Sequence, residues 1–293
     1  MRIVFIGCVK SSYIFLKTLL ENKCNVVGVI TKEKSDFNAD FTDLTPLCKE
    51  HNIPFIYVKT TNDLSSVDFI KSLSPDIGFC LGWSLLLSDE IIDLFPKGIV
   101  GYHPAALPSN RGRHPLVWAL ALGLSETASS FFMIDKSADT GDIISQVPVP
   151  IDYSDNAETL MNKVIAAGTQ QLIDLVNDLE NDAVKRIAQS PSEGNSWRKR
   201  GKADGQIDWR MSSRSIYNLV RALTKPYIGA HFVKDDIDYK VWSVKEIETN
   251  EYENIEPGKV LFVTKESFTV KAGDNLIEVL SCDPINISVG DYL

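Results

Sequence analysis

The sequence lacks the features that mark membrane, secreted and metal-binding proteins. No apolar run approaches the roughly 18 residues that a membrane-spanning helix needs, and the first residues, MRIVFIGCVKSS, have neither the long apolar region nor the cleavage site of a signal peptide. The five cysteines are odd in number and form no CxxC motif, which is typical of reduced thiols and disfavours a metal site. We therefore expect a cytoplasmic protein with neither a metal nor a membrane partner.

Positive charge is also scarce. The formal net charge is -9, and residues 201–293 carry 11 Lys and Arg against 15 Asp and Glu, a balance of -4. A surplus of positive charge strengthens binding to a nucleic-acid phosphate backbone, because it releases counterions. A nucleic-acid partner is therefore disfavoured.

The dinucleotide fingerprint GxGxxG is missing after the first predicted strand. That strand, residues 2–6, is followed by Gly7-Cys8-Val9-Lys10-Ser11-Ser12. The second and third glycines, which let a backbone approach a pyrophosphate, are not there. We therefore expect no NAD or FAD site.

What is present is a regular alternation of apolar runs and helical patterns up to residue 179. This alternation predicts an α/β fold with a doubly wound, mostly parallel sheet, and Asn62 and Ser88 are predicted helix N-caps. A helix over residues 212–223 and five β-rich segments predict a small, mainly β C-terminal domain. We expect a catalytic domain over 1–190, a linker or functional loop over 191–206, and the C-terminal domain over 207–293.

His103 and Asp139 are the first candidates for chemistry. His103 follows a predicted strand over residues 98–102, and Pro104 stiffens the loop after it. Asp139 lies in an acidic turn after a later strand, Asp139-Thr140-Gly141-Asp142. The two can meet as a general base and its orienting carboxylate; the alternative is a structural histidine and a solvated turn.

Two cationic stretches could bind an anionic ligand. Two guanidiniums beside a glycine suit a phosphate or a carboxylate, and an aromatic ring among cations suits a nucleotide. The alternatives are an exposed loop and a flexible charged linker. The stretches are Arg111-Gly112-Arg113-His114 and Trp197-Arg198-Lys199-Arg200 with Lys202.

An apolar loop follows the predicted strand over residues 76–81. Its sequence is Gly82-Trp83-Ser84-Leu85-Leu86-Leu87. Such a loop at a strand end can line a pocket for a flat heterocycle. Hydrophobic core is the alternative.

Three blocks, taken in order, resemble the formyltransferases that use 10-formyltetrahydrofolate. The family pattern N-x-H-P-S-L-L-P, R-G-x-x-P and L-D-T-G-D is matched by residues 103–108, 111–115 and 138–142. Segments 198–209, 216–223 and 226–230 are similar to the junction and C-terminal start shared by methionyl-tRNA and sugar N-formyltransferases. The resemblance implies a Rossmann-like formyltransferase fold and 10-formyltetrahydrofolate as co-substrate, without a metal.

The chemistry implied by the resemblance is attack of an amine on the formyl carbon. His103 would accept the amine's proton and Asp139 would support the imidazolium. The family pattern has an asparagine two residues before the histidine, where this chain has Gly101. Since a lost oxyanion donor can cost roughly 10² to 10³ in rate, we expect Asn110 to replace it; a non-catalytic folate-binding homologue is the alternative.

The resemblance also implies two sets of ligand contacts. The folate is expected to meet Gly82, Trp83, Leu85, Leu86, Asp135 and Asp142. The acceptor is expected to meet Arg111, Gly112, Arg113, His114, Trp197, Arg198, Arg200 and Tyr227.

The charge pattern favours a nucleotide-linked amino sugar as the acceptor. A methionyl-tRNA enzyme is expected to carry a basic insertion after its second strand, yet residues 32–43 contain no arginine. We predict an N-formyltransferase for a dideoxy sugar of surface polysaccharide, such as lipopolysaccharide O-antigen. Alternatives are a methionyl-tRNA formyltransferase and a glycinamide ribonucleotide formyltransferase, which would not need the C-terminal domain. The resemblance also implies a homodimer, which no stretch of the sequence demonstrates.

Overall fold

The computed structural model describes residues 1–35, 38–190 and 192–293; Asp36, Phe37 and Pro191, the first residue of the predicted linker, lie outside the described residues. The chain divides into two compact units, and the domain boundaries near residues 190 and 206 stay predictions. Unit 1 consists of Met1–Pro115, Thr127–Val149 and Asn162–Trp197, and unit 2 of Leu116–Glu126, Pro150–Met161 and Arg198–Leu293.

The strands and helices of the first two thirds of the chain follow the predicted alternation, apart from two strands of two residues each, Arg111–Gly112 and Ser196–Trp197, that were not predicted. The strands are β1 (Ile3–Ile6), β2 (Val26–Thr31), β3 (Phe55–Tyr57), β4 (Ile77–Cys80), β5 (Ile99–His103), β6 (Arg111–Gly112), β7 (Glu126–Met133), β8 (Ile143–Pro150) and β9 (Ser196–Trp197). The helices are α1 (Lys10–Glu21), α2 (Thr45–Glu50), α3 (Leu64–Leu73), α4 (Asp89–Ile92), α5 (Pro115–Ala121) and α6 (Ala157–Glu180).

Unit 1 is built on a sheet in the order β3-β2-β1-β4-β5-β7-β8. The first five strands in this order pair in parallel, and β7 runs antiparallel to β5. Every residue of β1 and β4 is buried, as expected for parallel strands covered on both faces. The mostly parallel, doubly wound α/β class is therefore confirmed.

The chain reverses its direction across the sheet between β1 and β4. Because β1, β4 and β5 are parallel, their carboxyl ends meet at one edge, where ligands bind in such sheets. His103 ends β5 at this edge, and the apolar loop from Gly82 follows β4.

One of the two predicted helix caps is correct. The Ser88 hydroxyl accepts a hydrogen bond from the Ile91 N–H at the start of α4, but α3 is capped by Asp63 and not by Asn62. The Asn62 side chain instead bonds the Leu86 carbonyl and the Ser88 N–H at 3.0 and 2.9 Å. Asn62 therefore anchors the apolar loop.

Unit 2 contains the predicted small β structure. Its strands β10 (Ala230–Lys234), β11 (Ile237–Ile247), β12 (Val260–Val263), β13 (Phe268–Lys271) and β14 (Leu276–Cys282) form an antiparallel sheet in the order β10-β11-β14-β13-β12. Helix α7 (Ser213–Leu223) packs on β11. Buried Arg221 donates to the carbonyls of Asp152, Tyr153 and Asp155, which ties segment 150–161 to this unit.

Candidate active site

His103 is the last residue of β5 rather than the first residue after it. Its main chain pairs with Ser130 of β7, and its side chain is 6% exposed. The Nε2 atom lies 2.8 Å from the main-chain oxygen of Asn110. Because a carbonyl oxygen can only accept, Nε2 carries the proton, and Nδ1 is the nitrogen left to take a second one.

Asp139 faces that second nitrogen. Its Oδ2 atom lies 3.7 Å from His103 Nδ1 and accepts a hydrogen bond of 2.9 Å from the Gly112 N–H. Asp139 has a φ of 60°, the left-handed region that non-glycine residues rarely adopt. The structure thus brings the histidine, the acidic turn and the basic loop together within unit 1.

The space beside Gly101 is apolar and filled. A Cβ atom on Gly101 would lie 2.7 Å from Phe132 Cζ and 2.9 Å from Ile134 Cγ1. Phe132 and Ile134 belong to a hydrophobic cluster with Leu107. The position where the resemblance expects a carboxamide therefore offers no room for one.

The basic loop is held in place by a later segment of the chain. Strand β6 pairs in parallel with β9, and a Cβ atom on Gly112, whose φ is 97°, would lie 2.3 Å from the Trp197 carbonyl oxygen. Only glycine fits this close approach. The pairing was not predicted, because two residues from each of two polar loops carry no periodicity.

The four main-chain N–H groups of residues 110–113 are all engaged. Those of Arg111 and Arg113 donate to the carbonyls of Asn195 and Trp197, that of Asn110 donates to the Asn195 side chain, and that of Gly112 donates to Asp139. The Asn110 carboxamide makes no hydrogen bond within the described part of the chain. Its N–H donors therefore have no partner among the described residues.

Arg111 is bound to Gln189. Its Nε and Nη2 atoms donate to Gln189 Oε1 at 3.0 and 2.8 Å, and Nη1 donates to the Glu193 carbonyl at 3.3 Å. Sequence reasoning missed Gln189, because a single glutamine in a polar stretch carries no local signal. Arg113 is exposed, and His114 is partly buried with a φ of 56°.

The apolar loop after β4 is largely open to solvent. Leu85 and Leu86 are 42% and 61% exposed. The Trp83 indole N–H is buried and has no hydrogen-bond partner among the described residues, while Lys32 Nζ lies 4.9 Å from the ring centroid. Gly82 has a φ of 78°, and a Cβ atom there would meet Ser12 Oγ at 2.4 Å.

The two remaining residues of the predicted folate contacts are Asp142, in the acidic turn, and Asp135, which precedes the turn. The exposed Asp135 carboxylate accepts hydrogen bonds from the Ser137 N–H and the Thr140 hydroxyl, so it organises the turn. Asp142 is partly buried, and its main-chain oxygen accepts from the Met133 N–H.

Thiol chemistry at this edge of the sheet is disfavoured. Burial raises the pKa of Cys8 to about 11 and that of Cys80 to about 12. A thiol with such a pKa holds almost no thiolate near neutral pH. The Cys8 and Cys80 thiols are therefore poor candidates for proton transfer near neutral pH.

Of the other predicted acceptor residues, Trp197 lies in unit 1, and Arg198, Arg200 and Tyr227 lie in unit 2. Trp118 of unit 2, and not Trp197, is the aromatic partner of the two arginines. The guanidinium carbons of Arg198 and Arg200 lie 5.3 and 4.4 Å from the centroid of the Trp118 ring. Arg198 also forms an ion pair with Asp204. Tyr227, partly buried, lies between α7 and β10 in the sequence.

No metal centre or membrane helix is found in the described residues. Across residues 1–35, 38–190 and 192–293, no three His, Cys, Asp or Glu side chains are grouped to hold a metal ion. None of the helices in these ranges is long and apolar enough to cross a bilayer.

Sequence comparison matches this chain to one family along most of its length. The pattern described as "Formyl transferase" matches residues 1–176, and "Formyl transferase, C-terminal domain" matches residues 199–287. A methionyl-tRNA formyltransferase of Clostridioides difficile is 27% identical over 300 residues, which cover 100% of this chain and 96% of that protein.

Solved structures of similar fold include two sugar-modifying enzymes. The N-formyltransferase from Helicobacter canadensis, in complex with folinic acid and dTDP-3-aminofucose, has a TM-score of 0.71 at 19% identity and covers 96% of this chain and 98% of its own. WlaRD, a sugar 3N-formyltransferase crystallised with dTDP and 5-N-formyl-THF, has a TM-score of 0.72 at 18% identity, covering 98% and 99%. HypX from Aquifex aeolicus has a TM-score of 0.67 at 17% identity. The match covers 95% of this chain but only 43% of HypX.

Proposed function

The chain belongs to the formyl transferase family, and from this premise we propose that it moves the formyl group of 10-formyltetrahydrofolate onto the amine of a nucleotide-linked amino sugar. The observation that carries the proposal is the His103–Asp139 pair at the carboxyl edge of the sheet, with Oδ2 3.7 Å from Nδ1. A base beside a carboxylate at this edge suits attack of an amine on a formyl carbon.

The apolar loop after β4 fits the folate. Exposed Leu85 and Leu86 can cover the faces of a flat heterocycle beside Trp83. Gly82, Asp135 and Asp142 are the other predicted contacts. The folate supplies the activated formyl group.

His103 acts as the base in this proposal. With its proton on Nε2, the imidazole can take the amine's proton on Nδ1 as the new C–N bond forms. The resulting imidazolium lies between two acceptors, the Asn110 carbonyl at 2.8 Å and the Asp139 carboxylate. The proton then passes to the nitrogen that leaves the formyl carbon, which returns His103 to its neutral form.

Asn110 is the proposed donor to the oxyanion. The main-chain N–H groups of residues 110–113 are engaged elsewhere, and no side chain extends from Gly101. The Asn110 carboxamide, without a hydrogen bond in the described chain, lies in the residue whose carbonyl holds His103. Its N–H group is therefore the best candidate to stabilise charge on the former formyl oxygen.

A nucleotide sugar is favoured over tRNA by charge. The net charge of -9 and the -4 of residues 201–293 disfavour a phosphate backbone, whereas a diphosphate needs only a few cations. The proposed contacts are those predicted from the sequence, Arg113, His114, Trp197, Arg198, Arg200 and Tyr227. The H. canadensis N-formyltransferase, crystallised with dTDP-3-aminofucose, and WlaRD, a sugar 3N-formyltransferase, support this choice.

Methionyl-tRNA is the second candidate. It is favoured by the 27% identity to the C. difficile enzyme, which extends over 100% of this chain. A tRNA complex would bind with a steep dependence on salt, because several phosphates must release their counterions.

An acceptor panel tests the proposal. Purified protein is incubated with 10-formyltetrahydrofolate and UDP-, TDP- or GDP-linked amino sugars, with methionyl-tRNA alongside, and formylated product is measured by mass spectrometry. We expect turnover of one nucleotide sugar, its loss in His103→Ala, and its retention in His51→Ala, which changes an exposed histidine. Turnover of methionyl-tRNA alone would replace the first candidate with the second, and folate binding without any turnover would contradict both.

A further inference from the structure

Gln189 lies at the centre of a hydrogen-bonded chain between the basic loop and the acidic turn. Its Oε1 atom accepts from Arg111 Nε and Nη2 at 3.0 and 2.8 Å. Its Nε2 atom donates to the main-chain oxygens of Asp139 and Gly141 at 3.0 and 2.6 Å. Because a guanidinium can only donate and a carbonyl can only accept, the orientation of this amide is fixed by its neighbours.

The turn that Gln189 holds has an unfavourable backbone. Asp139 has a φ of 60°, a conformation that persists only where the surroundings enforce it. A Cβ atom on Gly141 would lie 1.7 Å from the Met133 carbonyl oxygen, so this side of the turn lies directly on the end of β7. Gln189 binds the same two residues, Asp139 and Gly141, through their carbonyls.

The direction of the Asp139 carboxylate depends on this backbone. A short side chain with few torsions points where its Cα–Cβ bond points. The carboxylate meets the Gly112 N–H at 2.9 Å and faces His103 Nδ1 at 3.7 Å. Losing the two hydrogen bonds that the Gln189 amide donates to the Asp139 and Gly141 carbonyls would let the main chain relax. The carboxylate could then turn away from His103.

We propose that Gln189, oriented by Arg111, is a positioning residue that holds the Asp139 backbone so that its carboxylate faces His103. This inference rests on the proposed function in one respect, since it takes the His103–Asp139 pair as the proton-handling groups. It reassigns Arg111, which supports the turn through Gln189 instead of meeting the acceptor's phosphate.

Four substitutions, two at Gln189 and two at Arg111, separate the two roles of the glutamine. Gln189→Glu keeps an acceptor for Arg111 and strengthens that contact by adding a charge, but it cannot donate to the two carbonyls. Gln189→Met keeps the length of the side chain and removes both contacts. Arg111→Lys retains one donor for Gln189, whereas Arg111→Met retains none.

The first test needs no substrate. The ring nitrogens of His103 are titrated by NMR in protein with ¹⁵N-labelled histidine, with His103→Ala to assign the signals and Asp139→Asn to define the loss of the carboxylate. We expect Gln189→Glu and Gln189→Met to move the His103 titration in the direction of Asp139→Asn. Gln171→Met is the matched control, because buried Gln171 donates to the Ser129 carbonyl and the Ser145 hydroxyl and does not contact the turn. An unchanged His103 titration in both Gln189 variants would overturn the proposal, whether or not formyl transfer is ever observed.

The second test uses steady-state kinetics with the acceptor found in the panel. We expect Gln189→Glu and Arg111→Met to lower kcat by roughly 10- to 100-fold, as small displacements of catalytic groups do, with little change in KM, and Arg111→Lys to restore part of the loss. If Arg111 instead binds the acceptor's phosphate, Arg111→Met would raise the KM for the acceptor without changing kcat. Gln189→Glu would then leave both constants unchanged. That pattern would overturn the proposal.

Discussion

The ring of Phe132 fills the space into which a side chain at Gly101 would extend. The two residues face each other across β5 and β7, and the Cζ atom of Phe132 lies 2.7 Å from the position of a Cβ on Gly101. Position 101 therefore lacks the asparagine that the resemblance expects, and the space for its side chain is occupied by Phe132. Any donor to an oxyanion has to come from another direction, and Asn110 is the proposed one.

Restoring the family's asparagine is expected to harm the protein. Gly101→Asn would force Phe132 and Ile134 out of their packing, and overpacking of this kind costs about 1 to 3 kcal/mol in the free energy of unfolding. Thermal and denaturant unfolding should reveal the loss, and Phe132→Ala in the same chain should recover part of it. Equal stability of wild type and Gly101→Asn would mean that the pocket is wider than described.

Gly112 and Gly290 form a matched pair for testing the basic loop. Both have a left-handed backbone, with φ values of 97° and 94°, but a Cβ on Gly112 meets the Trp197 oxygen at 2.3 Å, and one on Gly290 meets nothing within 4 Å. Both alanine variants should carry a backbone cost of about 1 kcal/mol. Only Gly112→Ala should also lower the rate of formyl transfer, by about 100-fold; equal rates in the two variants would contradict the role of the β6–β9 pairing.

The sheet could be predicted from the sequence because its strands and helices carry strong periodic patterns. The apolar runs of β1 and β4 and the spacing of helical residues in α1 and α6 are local signals, so the α/β class and the small β structure follow from them. The positions of His103 and Asp139 at strand ends follow from the same patterns. Their meeting is then a consequence of the strand order.

The contacts around the pair could not be predicted, because they join residues far apart in the sequence through single hydrogen bonds. Gln189 and Asn195 lie in a polar segment that looks like a linker, and nothing in it indicates that it binds the basic loop. Trp118 lies on α5, a helix of apolar residues only, where an aromatic residue usually indicates core packing. Such partners are defined by tertiary structure and not by local pattern.

Arg200 is expected to contribute more to nucleotide binding than Arg198. Arg198 is paired with Asp204, whereas Arg200 donates only to the Asp204 carbonyl among the described residues and lies over Trp118; burial lowers its pKa. A half-buried guanidinium without a carboxylate partner gains most from a phosphate. Arg200→Gln should raise the KM for the nucleotide sugar about tenfold, and Arg198→Gln should raise it less. The reverse order would contradict this assignment.

His231 is expected to make the protein less stable in mild acid. Burial lowers the pKa of its imidazole below the ordinary 6.5, Lys240 and Lys202 add to the effect, and Asp238 opposes it. The unfolded chain therefore binds a proton that the native state does not, so stability falls as the pH drops below 6.5 towards the lowered pKa.

Comparing the Tm at about pH 7.5 and about pH 5.5, both within the range where histidine titrates, checks this expectation. The drop in Tm should be smaller in His231→Gln than in wild type. His51→Gln, which changes an exposed histidine, should behave as wild type. Identical drops in all three proteins would assign the acid sensitivity to other groups.

The pairing of β6 with β9 also sets an order of events during synthesis. His103, Asp139 and the basic loop leave the ribosome before Gln189 and residues 195–197, which hold that loop and the acidic turn in shape. A nascent or truncated chain that ends at residue 176, where the match to the first family pattern ends, contains the histidine and the carboxylate but neither Gln189 nor strand β9. If Gln189 positions the Asp139 carboxylate as proposed, we expect formyl transfer only after the late segment has joined the early one.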